Sequence, residues 1–170
     1  ADVIATAARP EDGDFDNGRR AYPAEIFAGL TGPLMTLDSL PFYVPPTAAG
    51  AENAILTEGQ TLKWPAEKTP ALAVLGAAAN GAKKGTAQLL YADGSRQNVP
   101  LGFSDWCFGP GPQEVDALSA PFRYTEGQRS EPEVHLWLTR LPVDNSRALA
   151  GIVLPDQPSL YVFGMALADK

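Results

Sequence analysis

The sequence predicts an all-β protein, an antiparallel β-sandwich or jelly roll with one short helix near the N-terminus. Three observations lead to this prediction. Short apolar runs recur along the chain, and several alternate between apolar and polar residues as half-buried strands do. Turn residues separate these runs, since the chain holds 16 glycines and 16 prolines without a collagen period. Nothing indicates the alternating strands and long helices of a parallel α/β fold, so we expect about eight to ten short strands in a sandwich.

The length predicts one domain. A chain of 170 residues and 18.0 kDa fits a single core, and a chain of this size buries roughly 70% of its unfolded surface. We therefore expect a single module over residues 1–170, with a flexible lead-in over residues 1–11, which are mostly small or polar.

The predicted helix covers residues 23–30. Pro23 suits a first helical turn, and Ile26 with Leu30 makes a short apolar stripe before the glycines that follow. The helix would be about two turns long.

The strongest local signal is a central β-hairpin. Residues 86–91 and 96–103 read as strands joined at Asp93-Gly94, a pair that suits the positive φ angles of a type I′ turn. Pro100 cannot donate to a ladder, so the second strand is predicted to lie at an edge or to carry a bulge.

Six further apolar runs are interpreted as strands. The run at 71–79 is continuously apolar, which is typical of a strand buried on both faces, although a buried helix is the competing interpretation. Pro65 is expected to close one strand, and Pro158 is one of the turn signals between the last ones. The six runs cover residues 40–44, 60–64, 71–79, 133–141, 149–154 and 160–167.

Composition argues against two classes of partner. The net charge is −7, the pI is near 4.6, and no basic cluster exceeds Arg19-Arg20 or Lys83-Lys84. A nucleic acid partner is therefore not expected. No run of 18 apolar residues occurs, so we predict no membrane span.

Catalytic motifs are not apparent. His135 is the single histidine and Cys107 the single cysteine, and no serine lies in a Gly-x-Ser-x-Gly motif. We interpret His135 as a structural or rim residue, and Cys107 has no basic neighbour in sequence to lower its pKa. The protein is predicted not to be an enzyme. A small self-contained hydrolase would require His135, Cys107 or a carboxylate pair to meet in one cleft.

Aromatic and polar residues near predicted turns indicate a carbohydrate site. A pyranose ring stacks on an aromatic side chain through its apolar face, while its hydroxyls need polar partners. Trp106 and Tyr124 would stack the sugar if the loops share one end of the sandwich, although Trp106 could instead pack in the core. The candidate ligand-binding residues are Asn80, Lys83, Asp105, Trp106, Arg123 and Tyr124.

An acidic segment near the N-terminus partly resembles a calcium loop. Asp12, Asp14 and Asp16 alternate as the first three ligands of such a loop do. The rest of the EF-hand pattern fails, because Pro23 stands where a bidentate glutamate is needed. A possible structural calcium ion is one interpretation, and a solvated acidic loop is the favoured alternative.

Three sequence features resemble a known class of module. They are Ala79-Asn80-Gly81 after the apolar strand, the turn from Tyr91 to Ser95, and the segment LGFSDW at residues 101–106. Over residues 12–168 the chain resembles the accessory β-sandwich modules, of galactose-binding-like or jelly-roll type, of secreted bacterial and especially actinobacterial glycoside hydrolases such as α-mannosidase-type enzymes. The resemblance implies a secreted, non-catalytic module attached covalently to a catalytic domain.

The sequence thus supports three functional hypotheses in order. The first is a carbohydrate-binding or accessory module whose partner is a glycan or polysaccharide. The second is a structural or protein-interaction domain of the same fold without a glycan ligand, which predicts a buried Trp106. The third is the small hydrolase.

Overall fold

The computed structural model describes residues 1–30 and 32–169. This part of the chain is almost entirely β-structure, which confirms the predicted fold class. Its strands are β1 (Ile4–Ala5), β2 (Arg20–Pro23), β3 (Leu34–Leu37), β4 (Leu40–Tyr43), β5 (Ile55–Glu58), β6 (Thr61–Glu67), β7 (Ala71–Ala78), β8 (Lys83–Tyr91), β9 (Arg96–Phe103), β10 (Val115–Ala120), β11 (Arg123–Thr125), β12 (Gln128–Ser130), β13 (Val134–Pro142), β14 (Leu149–Val153) and β15 (Asp156–Ala168).

Two sheets form the sandwich. One has five strands in the order β10-β13-β7-β15-β5, and the other has four in the order β6-β14-β8-β9. A smaller sheet, β1-β2-β11-β12, and the β3-β4 hairpin complete the described structure. All pairings between these strands are antiparallel except the two-residue β1-β2 contact.

Strand β7 is the centre of the core. All eight of its residues are buried, which confirms the interpretation of the apolar run as a strand buried on both faces. A side chain at Gly76 would meet the ring of Phe103 in the other sheet. The neighbouring residue Ala77 points to the opposite face, where its partner Tyr161 packs against Phe15 with ring centroids 4.5 Å apart. The N-terminal segment therefore covers the face of the five-stranded sheet that the sandwich partner leaves free.

The central hairpin forms as β8 and β9, with β9 at a sheet edge as Pro100 predicted. The turn is not type I′. Only Gly94 has a positive φ, at 85°, and its N–H donates to the carbonyl of Tyr91 over 3.0 Å. This is the pattern of a type I turn followed by a left-handed residue. Asp93 stabilises it by accepting the backbone N–H of Ser95 over 2.8 Å.

The predicted helix is absent and a 3₁₀ turn over Ala24–Phe27 takes its place. Pro23 ends β2 in an extended conformation, and Ala28 returns to an extended conformation at ψ 137°. Two turns with one short apolar stripe are too few to stabilise an α-helix. Ile26 and Phe27 are nevertheless buried in the core.

Two prolines expected to end strands lie inside them. Pro65 lies within β6, which is an edge strand and therefore tolerates a missing N–H donor. Pro158 lies within β15, where the pairing with β5 is irregular between Asp156 and Tyr161. The sequence interpretation also missed seven short strands, which are β1, β2, β3, β5, β10, β11 and β12.

The N-terminal residues differ from the flexible lead-in predicted for residues 1–11. Val3, Ile4 and Ala5 are buried, and the N–H of Val3 donates to Asn53 Oδ1 over 2.9 Å. Within the described residues, no helix is long and apolar enough to cross a membrane.

Candidate functional site

A polar cleft of about 380 Å³ lies at one end of the sandwich. The connections that follow β7 and β9, the segment before β2, and β11 all contribute side chains to it. We call it the Arg123 cleft. The residues that determine its chemistry are Asp16, Arg20, Asn80, Asp105, Phe108 and Arg123.

The structure brings four of the six predicted ligand-binding residues to this cleft, namely Asn80, Asp105, Trp106 and Arg123. They meet because the end of β9 runs beside the end of β7. The N–H of Ala78 donates to the carbonyl of Ser104 over 3.1 Å, and the N–H of Trp106 donates to the carbonyl of Ala78 over 2.8 Å. These bonds join the ends of two strands, although Ala78 and Ser104 are 26 residues apart in sequence.

Asp105 organises the backbone at this junction. Its carboxylate accepts the N–H of Gly81 over 2.7 Å and the N–H of Cys107 over 2.9 Å. Its carbonyl accepts the indole N–H of Trp137 over 3.0 Å. Asp105 is buried. Its carboxylate is therefore committed largely to the shape of the two loops.

Asp16 and Arg20 form the second polar element. Arg20 donates to Asp16 Oδ2 over 2.9 Å, and the N–H of Gly18 donates to Asp16 Oδ1 over 2.9 Å. Asn80 donates its side-chain amide to the carbonyl of Asp16 over 3.1 Å. These contacts hold the acidic N-terminal segment against the loop after β7.

Arg123 is the basic residue of the cleft that lacks an ion-pair partner among the described residues. No carboxylate of the described residues lies within 4.0 Å of its guanidinium group. It donates to Cys107 Sγ over 3.5 Å, and its Nε is buried without a hydrogen-bond partner. Its central carbon lies 5.5 Å from the centroid of the Trp106 ring. A partly buried guanidinium with unused donors favours the binding of an anion.

Cys107 is poorly suited to nucleophilic chemistry. Burial raises the pKa of its thiol to about 11, while Arg123 opposes this rise and Asp105 adds to it. At neutral pH the side chain is therefore an uncharged thiol.

The two predicted stacking residues are not available to a ligand. Trp106 is 2% exposed and packs against Phe15 and Tyr22, with ring centroids 4.8 and 4.9 Å away. Tyr124 is 3% exposed, and its hydroxyl donates to Glu25 Oε1 over 3.1 Å. The prediction that these rings stack a sugar is therefore wrong. Trp106 follows the end of β9 and Tyr124 lies in β11, and both side chains are buried. Arg123 and Tyr124 therefore belong to a strand and not to a loop.

Lys83 lies beside the cleft and does not line it. Its Nζ donates to the carbonyl of Asn80 over 2.8 Å, and its side chain faces a neighbouring depression that contains Glu114.

The three aspartates of the acidic segment are engaged separately. Asp12 accepts the N–H of Gly50 over 3.0 Å, Asp14 accepts the N–H of Arg19 over 3.1 Å, and Asp16 pairs with Arg20. The structure does not group their carboxylates as a calcium loop would.

Two residues of the cleft, Phe108 and Arg20, were not predicted from the sequence as site residues. Phe108 is 74% exposed, an unusual position for a large apolar side chain, and it stands in the wall of the cleft. Its position next to the Gly109-Pro110-Gly111-Pro112 segment, which cannot continue a strand, was the available signal. Arg20 could not be recognised, because its role depends on the contact with Asp16.

The fold and the cleft define a β-sandwich domain with a polar pocket at one end. More specifically, the chain belongs to the AziU2-like beta-sandwich domain family, whose model matches residues 1–170. This confirms the β-sandwich part of the resemblance noted above, and the association with glycoside hydrolases stays a prediction. No curated protein matches the chain.

Proposed function

We propose that this domain is a non-catalytic binding module whose Arg123 cleft takes the carboxylate of an acidic sugar. The observation that carries the proposal is the Arg123 guanidinium, which faces the cleft without a carboxylate partner among the described residues. The chain as a whole carries a charge of −7. This charge disfavours anions over most of the surface, so it is the unpaired guanidinium itself that favours an anionic ligand at this point.

A carboxylate suits this position because a guanidinium presents its N–H donors as a planar fork that matches two carboxylate oxygens. The nearby polar groups add donors of the kind that sugar hydroxyls need, since Asn80 is exposed and Arg20 lines the same cleft. On this side of the cleft, hydrogen bonds from guanidinium and amide groups would thus replace the ligand's hydrogen bonds to water.

The apolar side of the cleft supports a sugar. The ring of Phe108 is 74% exposed, and Pro132 also lines the cleft. An exposed ring next to polar donors is the arrangement that binds the apolar face of a pyranose. In this proposal Phe108 replaces Trp106 and Tyr124 as the stacking residue.

A binding role without catalysis is favoured by the state of the reactive groups. Cys107 carries a thiol whose pKa is about 11. Asp105 is held by two backbone N–H groups, and Asp16 is held by Arg20. None of the three is poised as a nucleophile or a general acid. We further propose, from the sequence resemblance, that the module is secreted and linked to a catalytic domain.

The test is isothermal titration calorimetry of the chain with oligogalacturonate and with a neutral oligosaccharide of the same length. We expect binding of the acidic ligand only, weakened at least tenfold by Arg123→Gln and by Phe108→Ala. Arg96→Gln is the matched control, because Arg96 lies at the opposite end of the β8-β9 hairpin and the charge change is the same. Equal binding of both sugars, or unchanged affinity in Arg123→Gln, would overturn the proposal.

A second function is favoured by the burial of Trp106, which it predicts, and by a second surface feature. An apolar groove of about 500 Å³ is lined by Tyr43, Trp64, Phe163 and Met165, and Tyr43 is 76% exposed. A groove of this kind fits an apolar segment of a protein partner. This alternative, a structural or protein-interaction domain, predicts that no glycan binds, acidic or neutral, and that Arg123→Gln has no effect on the interaction.

A further inference from the structure

We propose that Glu133 and His135, oriented by Asp116, form a binding site for a divalent transition metal ion of the zinc class. The site is independent of the Arg123 cleft. Asp116 lies on β10, His135 lies on β13, and Glu133 directly precedes β13. In the described residues this is the one group of at least three histidine, cysteine or acidic side chains whose ligand atoms all lie within 4.8 Å of one another.

The strand pairing brings these residues together. Glu133 and His135 are two positions apart and share a face of the sheet. Ser119 pairs with His135 and Asp116 pairs with Trp137, and the register shifts between Asp116 and Leu118. The bulge lets Asp116 reach a histidine that is not its direct partner.

His135 is held in one orientation. Its ring stacks on that of Trp137 with centroids 4.6 Å apart and an interplanar angle of 11°. Its backbone N–H donates to the carbonyl of Trp106 over 2.8 Å, and its carbonyl accepts the hydroxyl of Tyr22 over 2.6 Å. The side chain is only 13% exposed. The imidazole is thus already ordered, so it would lose little conformational freedom on binding an ion.

Each ring nitrogen faces one carboxylate. Nδ1 lies 2.9 Å from Asp116 Oδ2, and Nε2 lies 3.3 Å from Glu133 Oε1. Two ligands at about 2.1 Å from one ion, arranged tetrahedrally, are themselves about 3.4 Å apart. The Nε2 and Oε1 atoms therefore have the separation of two ligands of a tetrahedral ion.

Asp116 then has the role of a positioning residue. A metal-binding histidine commonly donates its other N–H to a carboxylate, which orients the ring and raises its basicity. The Nδ1 contact with Asp116 has this geometry. Water would complete the coordination, because the Glu133 and Asp116 side chains are 55% and 40% exposed.

The donor set selects the class of ion. An imidazole nitrogen with a carboxylate oxygen suits zinc, copper, nickel or cobalt. Calcium prefers six to eight oxygen ligands and no nitrogen. The site is thus distinct in chemistry from the calcium loop considered for the N-terminal aspartates.

The test is titration of the full chain with Zn²⁺ by calorimetry, with Co²⁺ absorption in the visible range as the spectroscopic readout. We expect one ion per chain and a perturbed Co²⁺ spectrum. Both are lost in His135→Gln, and the affinity for Zn²⁺ falls roughly 10–100-fold in Asp116→Asn because the carboxylate that orients the imidazole through Nδ1 is removed. Ca²⁺ is expected to give no signal.

Glu133→Gln keeps the test decisive if a substitution at the packed His135 disturbs the fold, because the Glu133 side chain is 55% exposed. Glu67→Gln, on β6, is the matched control and is expected to bind like the parent chain. Absence of Zn²⁺ and Co²⁺ binding would overturn the proposal. So would equal affinity in the parent chain and in folded Glu133→Gln and His135→Gln.

Discussion

Trp106 lies where the N-terminal segment, the end of β9 and β11 meet, and its surroundings explain its burial. Phe15 and Tyr22 contact its ring from the N-terminal side, and Arg123 covers it from β11. The aromatic neighbours come from more than 80 positions earlier in the chain. A tryptophan beside an aspartate at a strand end is therefore a core residue here, although the same local sequence suits a sugar platform.

We expect Trp106→Ala to destabilise the fold by about 3–5 kcal/mol, the usual cost of deleting a large buried aromatic side chain. Phe108→Ala, at the exposed neighbouring aromatic, is expected to change the free energy of unfolding by less than about 0.5 kcal/mol. Urea unfolding followed by circular dichroism measures both values. Equal stabilities of the two variants would contradict the buried position of Trp106.

The buried ionisable groups predict that stability declines at alkaline pH. Burial raises the pKa of the Cys107 thiol from its ordinary value of 9.0 to about 11, and burial also raises the pKa of Tyr22 well above 10.0. The folded chain thus keeps protons that the unfolded chain releases. The stabilisation from Cys107 is complete below pH 9 and is lost as the pH rises from 9 to 11, while that from Tyr22 is complete below pH 10 and is lost at higher pH.

This dependence can be measured by urea unfolding at several pH values between 7.5 and 10.5. We expect Cys107→Ala to flatten the part of the decline that begins near pH 9. The part that begins near pH 10 remains, because it comes from Tyr22 and from Tyr161, whose pKa burial also raises. A parent chain and a Cys107→Ala variant with the same pH profile would show that the thiol does not contribute.

At the scale of the element, β7 requires a glycine at one position. The Cβ of an alanine at Gly76 would overlap with the Phe103 ring and with the carbonyl oxygen of Tyr161. The second contact is with backbone and cannot be relieved by rotating a side chain. The glycine therefore permits β7 to pack closely against β9 and β15 at once.

Gly76→Ala is expected to lower the free energy of unfolding by about 3 kcal/mol or more, which is the upper end of the usual range for overpacking. Gly29→Ala is the comparison, because among the described residues, chain neighbours aside, no atom lies within 4 Å of a Cβ added there, and its φ is +82°. Its cost is confined to the left-handed backbone, about 1–2 kcal/mol. Thermal and urea unfolding of the two variants test this order, and a more stable Gly76→Ala than Gly29→Ala would contradict it.

At the scale of the whole molecule, the N-terminal residues are an integral part of the fold. The N–H of Tyr22 donates to the carbonyl of Val3 over 2.9 Å, and Asn53 contacts both Asp2 and Val3. Val3 and Ile4 are 0% and 2% exposed. These contacts connect the first five residues to β2 and to the segment before β5.

Removal of residues 1–5 is expected to destabilise the protein by about 3–6 kcal/mol, since the burial of each of the two aliphatic side chains contributes about 1.5–3 kcal/mol. Ala8→Ser, at an exposed position of the same segment, is expected to leave the melting temperature unchanged. If the truncated protein had the same melting temperature as the parent chain, the result would support the flexible lead-in predicted from the sequence.

The sequence by itself determined the all-β class, the buried strand β7 and the central hairpin. These features depend on the local alternation of apolar residues and on turn residues, which act over a few positions. It also selected four residues of the cleft, because polar residues next to strand ends tend to meet at one end of a sandwich.

Only the tertiary structure decided which of those residues are accessible and what each contacts. The short strands β1, β2, β11 and β12 are too short for periodicity to reveal, and they are stabilised by contacts distant in sequence. Their packing buries Trp106 and Tyr124 and leaves Arg123 without a carboxylate partner in the described chain. The same long-range pairing places Asp116 beside His135. Burial and charge pairing are properties of neighbours in space, and local sequence carries no direct signal of them.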